Sequence, residues 1–199
     1  MRTKTLLIGV ALAVVFSVSA PKIFAQNLLT NGSFETGDFT GWTTGGNFED
    51  TEVVSGAFYE YTGAQSGTFY AALGPVGSDG TLGQSFADHA GSQYTFSFWL
   101  AAVGDNPSDF SAYWDGTQLL ALTNPTTGGA WTQYSFTGTG TGSDSISFAF
   151  RDDPGYIALD NVSVSSSSGT GTTPEPSSLI LLGTGVVGLG ALVRRKLKK

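Results

Sequence analysis

Apolar and polar residues alternate along most of the middle of this chain. Within residues 93–103, three aromatic rings fall on one side of an extended strand, while Trp99 and hydroxyl side chains fall on the other. Residues 145–150 repeat this period of two, which is typical of strands that bury one face. Asp115 and Gly116 separate two further runs of this kind and predict a tight hairpin.

The same alternation recurs in short segments from residue 27 to residue 164. Gly, Pro, Asn and Asp separate the segments and favour turns, and no long stretch keeps the helical period of about 3.6 residues. Strands this short and this closely spaced predict an all-β fold, an antiparallel β-sandwich. The predicted strands cover residues 27–35, 47–54, 57–61, 68–73, 81–86, 93–103, 109–114, 117–122, 131–136, 145–150 and 156–164.

The N-terminal end has the organisation of a secretory signal peptide. Arg2 and Lys4 precede an apolar run at residues 6–18, and Ala25 offers a small residue before a cleavage site. The run is shorter than a stable membrane span. We therefore predict a signal helix over residues 1–25 that is removed on export.

The C-terminal end has three parts in a fixed order. Pro174, Glu175 and Pro176 precede an uncharged run at residues 178–193, and five basic residues follow it. As a helix the run would span about 24 Å, slightly less than the core of a bilayer. The basic end would stay in the cytoplasm. These features predict a transmembrane helix over residues 178–193, and from the residues alone an ordinary C-terminal membrane anchor remains an alternative.

This three-part end resembles the PEP-CTERM sorting signal of bacterial exported proteins. The resemblance covers residues 174–199 and implies that an exosortase-type membrane protease cuts near the motif and passes the protein to the cell surface or matrix. Before processing, the C-terminal helix would hold the chain in the membrane. Between the signal peptide and the sorting signal, we expect a sandwich domain over residues 26–165 and a Ser/Gly/Thr linker over residues 166–173.

The residues between the two terminal segments are strongly acidic. Residues 26–173 contain 15 acidic side chains and one basic side chain, Arg151. Such a charge repels nucleic acid, so we expect no nucleic-acid partner, and it favours divalent cations and neutral or cationic partners. The sequence contains no cysteine, which excludes disulfides and thiolate chemistry.

Few residues suggest catalysis. His89 is the sole histidine of the sequence and lies in a polar segment, which argues against a serine triad or a histidine metal site. Asp152 and Asp153 precede Pro154 and Gly155, an order typical of a turn. We therefore predict no catalytic residues and no enzyme, with a glycan hydrolase as a remote alternative.

Two segments of the middle domain are similar to the galactose-binding-like jelly rolls of the carbohydrate-binding-module type. They are residues 27–35 near its start and residues 156–164 near its end. The resemblance implies that the sandwich is a jelly roll. In that family an acidic residue from each end often meets at a structural calcium ion, which implies a calcium site at Glu35 and Asp160. Alternatively, these two side chains only cap turns at strand ends.

The same resemblance implies a glycan-binding surface of aromatic rings and hydrogen-bonding side chains. Trp99 and Tyr113 lie out of phase with neighbours that we expect in the core, so we predict these two as ligand contacts. The other aromatic candidates are Trp42, Tyr59, Tyr61, Trp114 and Trp131. We expect an exported, non-catalytic protein that binds glycan, such as the cell's own exopolysaccharide. A structural or adhesive protein without a small ligand is the alternative.

Overall fold

The computed structural model describes residues 26–167, which contain ten β-strands. The predicted signal peptide, sorting motif and transmembrane helix lie outside the described residues, as does most of the predicted linker. Between residues 26 and 167, no helix has the length and apolar character needed to cross a membrane. The strands are β1 (Thr43–Gly46), β2 (Thr51–Ser55), β3 (Phe69–Leu73), β4 (Gly80–Ala87), β5 (Gln93–Ala101), β6 (Ser108–Trp114), β7 (Thr117–Thr123), β8 (Thr132–Thr139), β9 (Ser143–Asp152) and β10 (Ile157–Ser166).

The ten strands form two five-stranded sheets in which the paired strands are antiparallel. The first sheet has the order β1-β4-β9-β6-β7, and the second has the order β2-β3-β10-β5-β8. The last two strands, β9 and β10, therefore occupy the centres of the two sheets. This arrangement confirms the predicted all-β antiparallel sandwich.

The core between the sheets is built from the alternating apolar residues of the central strands. On β9, Ile146, Phe148 and Phe150 are buried, while their neighbours along the strand are partly exposed. Phe148 packs against Phe98 of β5 with ring centroids 5.1 Å apart. Because aromatic rings bury large apolar areas, this core can stabilise the sandwich without disulfides.

A second, smaller apolar cluster covers the outer face of the second sheet. Residues 56–68, which connect β2 to β3, pack on this face, and we name them the covering loop. Tyr61 of this loop is buried in one cluster with Tyr70 of β3. Trp131 packs edge-on against Tyr70, and its Nε1 donates a hydrogen bond to the carbonyl oxygen of Gly63 at 3.2 Å. Packing and hydrogen bonds thus fix the covering loop to the sheet.

Two of the predicted strands are wrong. Residues 27–35 form turns, because Asn31 and Phe34 take left-handed backbone conformations, with φ of 51° and 56°, that interrupt a strand. Residues 57–61 form a tight turn in which Tyr59 has φ of 52°. In addition, β1 is a strand that the alternation does not predict, because its four residues are only Thr and Gly.

The described segment is a complete sandwich. Each of the ten strands pairs with another strand of residues 26–167, and these residues supply both apolar clusters described above. A segment with its own core and paired strands has the features of an independently folding domain. Residues 26–167 are therefore the natural segment for experiments in solution.

Candidate functional site

Glu35 and Asp160, the predicted calcium ligands, lie at the same edge of the covering loop. Asp160 is fully buried on β10, and its Oδ2 accepts hydrogen bonds from the amides of Gln65 at 2.9 Å and Ser66 at 3.2 Å. Glu35 is exposed, and its Oε1 accepts a hydrogen bond from the amide of Thr68 at 2.9 Å. The two carboxylates therefore bind successive backbone amides and hold the end of the covering loop in place.

The surroundings of Asp160 disfavour the ionised form of its carboxyl group. The pKa of Asp160 is raised to about 6, chiefly by burial and to a smaller extent by the charge of Glu35, while the backbone hydrogen bonds act in the opposite direction. The two carboxylates are thus close enough to repel each other. Arg151, the only Lys or Arg in the described range, pairs with Asp153 instead.

This pair fits a calcium ion in its charge and in its ligand chemistry. Calcium takes about six to eight oxygen ligands, and a pair of carboxylates supplies at most four. Within residues 26–167, no group of three His, Cys, Asp or Glu side chains is arranged to hold a metal ion. Carbonyl and water oxygens would have to complete the coordination of an ion at Glu35 and Asp160. Calcium at this position therefore stays a prediction, beside the hydrogen-bonding role that the structure gives both residues.

Trp99 and Tyr113, the predicted glycan contacts, lie on opposite sides of the sandwich. Trp99 is partly exposed on the outer face of the second sheet, where it pairs with Asp160 in register. Tyr113 is partly exposed on the outer face of the first sheet, and its hydroxyl accepts a hydrogen bond from Gln118 at 3.3 Å. The full thickness of the core separates the two faces, so the structure does not bring these residues into one binding site.

Tyr59 is the most exposed aromatic side chain of the described range, with 46% of its surface accessible. Its ring packs edge-on against Tyr156 at 5.5 Å between centroids, and its hydroxyl donates a hydrogen bond to Asp105 Oδ2 at 3.3 Å. An exposed aromatic residue with positive φ is uncommon and is often associated with a functional constraint. We name Tyr59, Tyr156, Asp105 and Asp152 the Tyr59 site.

Three connections meet at the Tyr59 site. Tyr59 comes from the covering loop, Asp105 from the segment between β5 and β6, and Tyr156 from the turn between β9 and β10. Buried Tyr61 links two of these segments because its hydroxyl donates a hydrogen bond to the carbonyl oxygen of Tyr156. Gly155 permits this approach, since a Cβ added there would overlap the carboxylate of Asp105.

Asp152 lies beneath this surface at the end of β9. Only 1% of the residue is exposed, and its Oδ1 has no hydrogen-bond partner within the described part of the chain. Burial, together with the charges of Asp105 and Asp153, raises the pKa of Asp152 to about 7, while a backbone hydrogen bond from Gly155 acts in the opposite direction. Asp153 itself is turned outward to Arg151 and to the amide of Gly77. Asp152 and Asp105 are thus neighbouring acids without a basic partner among residues 26–167.

The sequence contained a signal for the Tyr59 site that the strand prediction obscured. Tyr59 was among the aromatic candidates, but placing it in a strand over residues 57–61 assigned it no special role. Gly56 and Gly63 flank the segment, and glycine at both ends of so short a run favours a turn. The approach of Asp105 and Asp152 to this turn depends on contacts distant in sequence, which no local pattern reveals.

The remaining acidic and basic side chains do not form an arrangement typical of an active site. His89 is exposed in the connection after β4. Burial and the neighbouring Asp144 raise the pKa of Asp88. Asp88 Oδ1 accepts a hydrogen bond from the amide of Gly142 at 2.6 Å, and Asp144 Oδ1 accepts one from the amide of Thr141 at 3.1 Å. These two carboxylates therefore hold the turn that leads into β9.

The C-terminal end matches a known sorting signal. A family model of the PEP-CTERM protein-sorting motif matches residues 172–196 and confirms the sorting signal predicted from the sequence. The motif indicates a secreted protein that exosortase processes and sorts to the cell surface. No curated protein matches the sequence.

Several solved structures share the fold at low sequence identity. A CBM61 module in complex with β-1,4-galactotriose is 20% identical, with a TM-score of 0.59 over 71% of this chain and 99% of that chain. The K1 cleaved adhesin domain of Lys-gingipain from Porphyromonas gingivalis W83 is 19% identical, with a TM-score of 0.53 over 68% of this chain and 96% of that chain. The enzymatically active domain of bacteriophage CBA120 tailspike protein 4 is 18% identical, with a TM-score of 0.51 over 70% of this chain and 21% of that chain.

These similarities establish the fold but not the activity, which has to be argued from the residues of this chain. The names of the three proteins describe a carbohydrate-binding module, an adhesin and an enzymatic domain, so the fold alone does not choose among these functions. The first likeness confirms the predicted jelly roll of the carbohydrate-binding-module type. The chain therefore contains a β-sandwich with the jelly-roll fold of carbohydrate-binding modules, followed in sequence by a PEP-CTERM protein-sorting motif.

Proposed function

We propose that this protein is a non-catalytic component of the cell surface or extracellular matrix and that its sandwich binds a glycan at the Tyr59 site. The observation that carries the proposal is an exposed aromatic ring, Tyr59, fixed beside the carboxylate of Asp105. The sorting motif supports the location, since it directs the protein to the surface, where glycans are abundant.

The chemistry of the Tyr59 site suits a sugar. The apolar C–H face of a pyranose can pack on the ring of Tyr59, while its hydroxyl groups donate hydrogen bonds to the oxygens of Asp105. Tyr156 and Asp105 already hold the ring, so binding would cost little side-chain entropy. The likeness to a module crystallised with β-1,4-galactotriose supports this class of ligand without identifying the sugar.

The charge of the domain favours a neutral polysaccharide. With 15 acidic and one basic side chain in residues 26–173, the domain repels polyanions unless a cation lies between them. A neutral exopolysaccharide of the producing cell would meet no such repulsion. We therefore propose such a polymer as the ligand, with exosortase as the partner that delivers the domain to it.

Two features support a non-catalytic role. Asp152 has the raised pKa of a general acid, but its unpartnered oxygen is buried and does not reach a bound sugar. The carboxylates of Asp88 and Asp144 already accept hydrogen bonds from the backbone amides of Gly142 and Thr141, which gives both a structural role. If the remote alternative of a hydrolase were correct, reducing ends would accumulate when the domain is incubated with a polysaccharide that it binds.

A glycan array with residues 26–167, followed by calorimetry on the best polysaccharide, tests the proposal. We expect Tyr59→Ala to weaken binding by about tenfold or more, since one stacked aromatic contact is typically a dominant contributor at such sites. Val76→Ala is a matched control, because Val76 is also exposed, at 53%. Tyr59→Phe keeps the ring and loses the hydroxyl, so it separates stacking from the contact with Asp105.

The same assay tests the two contacts predicted from the sequence. Loss of binding in Trp99→Ala, with Tyr59→Ala unaffected, would move the site to the outer face of the second sheet. Loss in Tyr113→Ala alone would move it to the first sheet. If the wild-type domain binds no glycan on the array or in solution, the structural or adhesive alternative replaces glycan binding.

A structural calcium ion is a separate proposal. We propose that calcium bridges Glu35 and Asp160, because two mutually repelling carboxylates lie together there without a basic neighbour. The ion would stabilise the end of the covering loop, which both carboxylates already hold through its amides.

A further inference from the structure

The end of the sandwich that carries the Tyr59 site has an excess of negative charge. Burial raises the pKa values of Tyr59, Tyr61 and Tyr156, and nearby negative charges raise them as well. These charges are Asp105 and Asp152 for Tyr59 and Tyr61, and Asp50 and Glu52 for Tyr156. Among residues 26–167, Arg151 is the only Lys or Arg, and it contacts Asp153 rather than this group. The charges at this end are therefore not compensated by a basic side chain of the described domain.

Asp152 is the exceptional member of this group. A buried carboxylate oxygen normally has a hydrogen-bond donor, and leaving one without a partner is destabilising, most of all for a charged group. Asp152 Oδ1 lacks such a donor within the described part of the chain, although the residue is 1% exposed. The carboxylates of Asp152 and Asp105 both lie against the backbone of Gly155, which has no side chain to separate them.

We propose that Asp152 and Asp105 bind a divalent cation, calcium, directly beside Tyr59. An ion between the two carboxylates would give the buried oxygen of Asp152 its missing partner. It would also relieve the repulsion between the two acids, which no basic side chain of residues 26–167 relieves. Calcium suits the position because both donors are hard carboxylate oxygens and its coordination geometry is adaptable.

This site differs from the pair formed by Glu35 and Asp160. The charges that raise the pKa of Asp152 are those of Asp105 and Asp153, and neither Glu35 nor Asp160 contributes to this shift. At Glu35 and Asp160, backbone amides already donate to the carboxylate oxygens, whereas Asp152 Oδ1 has no donor. The two positions can therefore be tested separately.

Two protein carboxylates leave most of the coordination sphere of calcium to other oxygens. Asp153 does not contribute, because it is bound to Arg151 and to the amide of Gly77. Water would fill the remaining positions, and a pair of adjacent sugar hydroxyls could replace that water on the side of Tyr59. This second step rests on the proposed glycan function and predicts that glycan binding at Tyr59 requires the cation.

Calcium calorimetry and terbium luminescence with residues 26–167 test the cation site without any glycan. Terbium replaces calcium, and Tyr59 and Tyr61 are close enough to the site to sensitise its emission. We expect Asp152→Asn and Asp105→Asn each to weaken binding by about tenfold or more. Asp109→Asn is the matched control, since it removes an acid on the outer face of β6. Glu35→Gln should leave the signal from this site in place.

Circular dichroism and the melting temperature of each variant show whether it is folded. If Asp152→Asn does not fold, Asp105→Asn decides, because Asp105 is partly exposed and its replacement does not leave a buried amide unpaired. Wild-type binding of calcium and terbium in both folded variants would overturn the proposal. So would the absence of any binding at millimolar calcium in Glu35→Gln, in which the other proposed calcium site is removed.

Glycan binding with and without EDTA tests the second step. Binding that is lost in EDTA and in Asp105→Asn supports the cation as part of the glycan site. Undiminished glycan binding in EDTA overturns the requirement for a cation and leaves the proposed function intact. A domain that binds calcium through Asp152 but binds no glycan supports the cation site and refutes the proposed function.

Discussion

Asp152→Asn should change the pH dependence of stability in a direction that can be worked out from the fold. Asp152 is buried, its Oδ1 lacks a partner in the described range, and its pKa is raised from 3.8 to about 7, chiefly by burial. Between these two pH values the folded state binds more protons than the unfolded state. Stability attributable to this group is therefore complete below pH 3.8 and is lost as the pH rises through about 7.

The difference between the two pKa values sets an upper limit on the effect. Raising the pKa of Asp152 from 3.8 to about 7 corresponds to about 4 kcal/mol of ionisation cost at alkaline pH. Asparagine at this position resembles the protonated acid and does not ionise. We therefore expect Asp152→Asn to match the wild type near pH 4 and to exceed its free energy of unfolding by about 2 to 4 kcal/mol at pH 8.

Urea unfolding of residues 26–167 at pH 4, 6 and 8 in EDTA measures this difference. The EDTA is required because a cation at Asp152 and Asp105 would stabilise the ionised acid and mask the effect. Asp160→Asn is an informative contrast: it removes an acid whose oxygens accept amides of Gln65, Ser66 and Asn161, so it should destabilise the domain at pH 4. Because the pKa of Asp160 is also raised, to about 6, this cost should become smaller as the pH rises to 8. Parallel pH profiles for Asp152→Asn and the wild type would refute the reasoning.

Three further predictions concern other parts of the chain. Calcium should raise the melting temperature of residues 26–167 and EDTA should lower it, with a smaller response in Glu35→Gln; identical melting in both conditions would contradict the calcium prediction. Phe148→Ala should lower the free energy of unfolding by about 3 to 5 kcal/mol in urea, because its ring is fully buried, whereas exposed Val76→Ala should change it by about 0.5 kcal/mol or less. Glu175→Ala should cause the precursor to accumulate in membrane fractions of the producing bacterium, measured by immunoblotting; unchanged processing would count against the sorting assignment.

The architecture could be predicted because one face of each central strand is buried. Burial imposes a period of two on the sequence, and β5 and β9 show it clearly through Phe96, Phe98, Phe148 and Phe150. The prediction failed where the backbone leaves the extended region. Residues 27–35 contain apolar side chains at spacings that suit a strand, but left-handed residues within them produce turns that only tertiary packing makes stable.

The candidate site was less predictable because its residues come from distant parts of the sequence. Phase along β5 and β6 correctly placed Trp99 and Tyr113 outside the core, but phase carries no information about which sheet a strand joins. The two residues consequently lie on opposite faces. The position of Tyr59 depends on a turn, on the carboxylate of Asp105 and on packing against Tyr156. Residues 59, 105 and 156 together span about two thirds of the sequence of residues 26–167.

The loop end is the part of this sandwich where a ligand site can be built at least cost to folding. The inner faces of both sheets are occupied by aromatic core residues, and the covering loop occupies part of the outer face of the second sheet. At the loop end, by contrast, Tyr59 is exposed and Asp152 Oδ1 has no hydrogen-bond partner among residues 26–167, although each of these features is unfavourable for the isolated domain. The exposed ring of Tyr59 would gain a favourable contact if a glycan packed on it, and the oxygen of Asp152 would gain one if a cation lay between Asp152 and Asp105. Their coincidence at one place is therefore a stronger argument for a binding site than either observation alone.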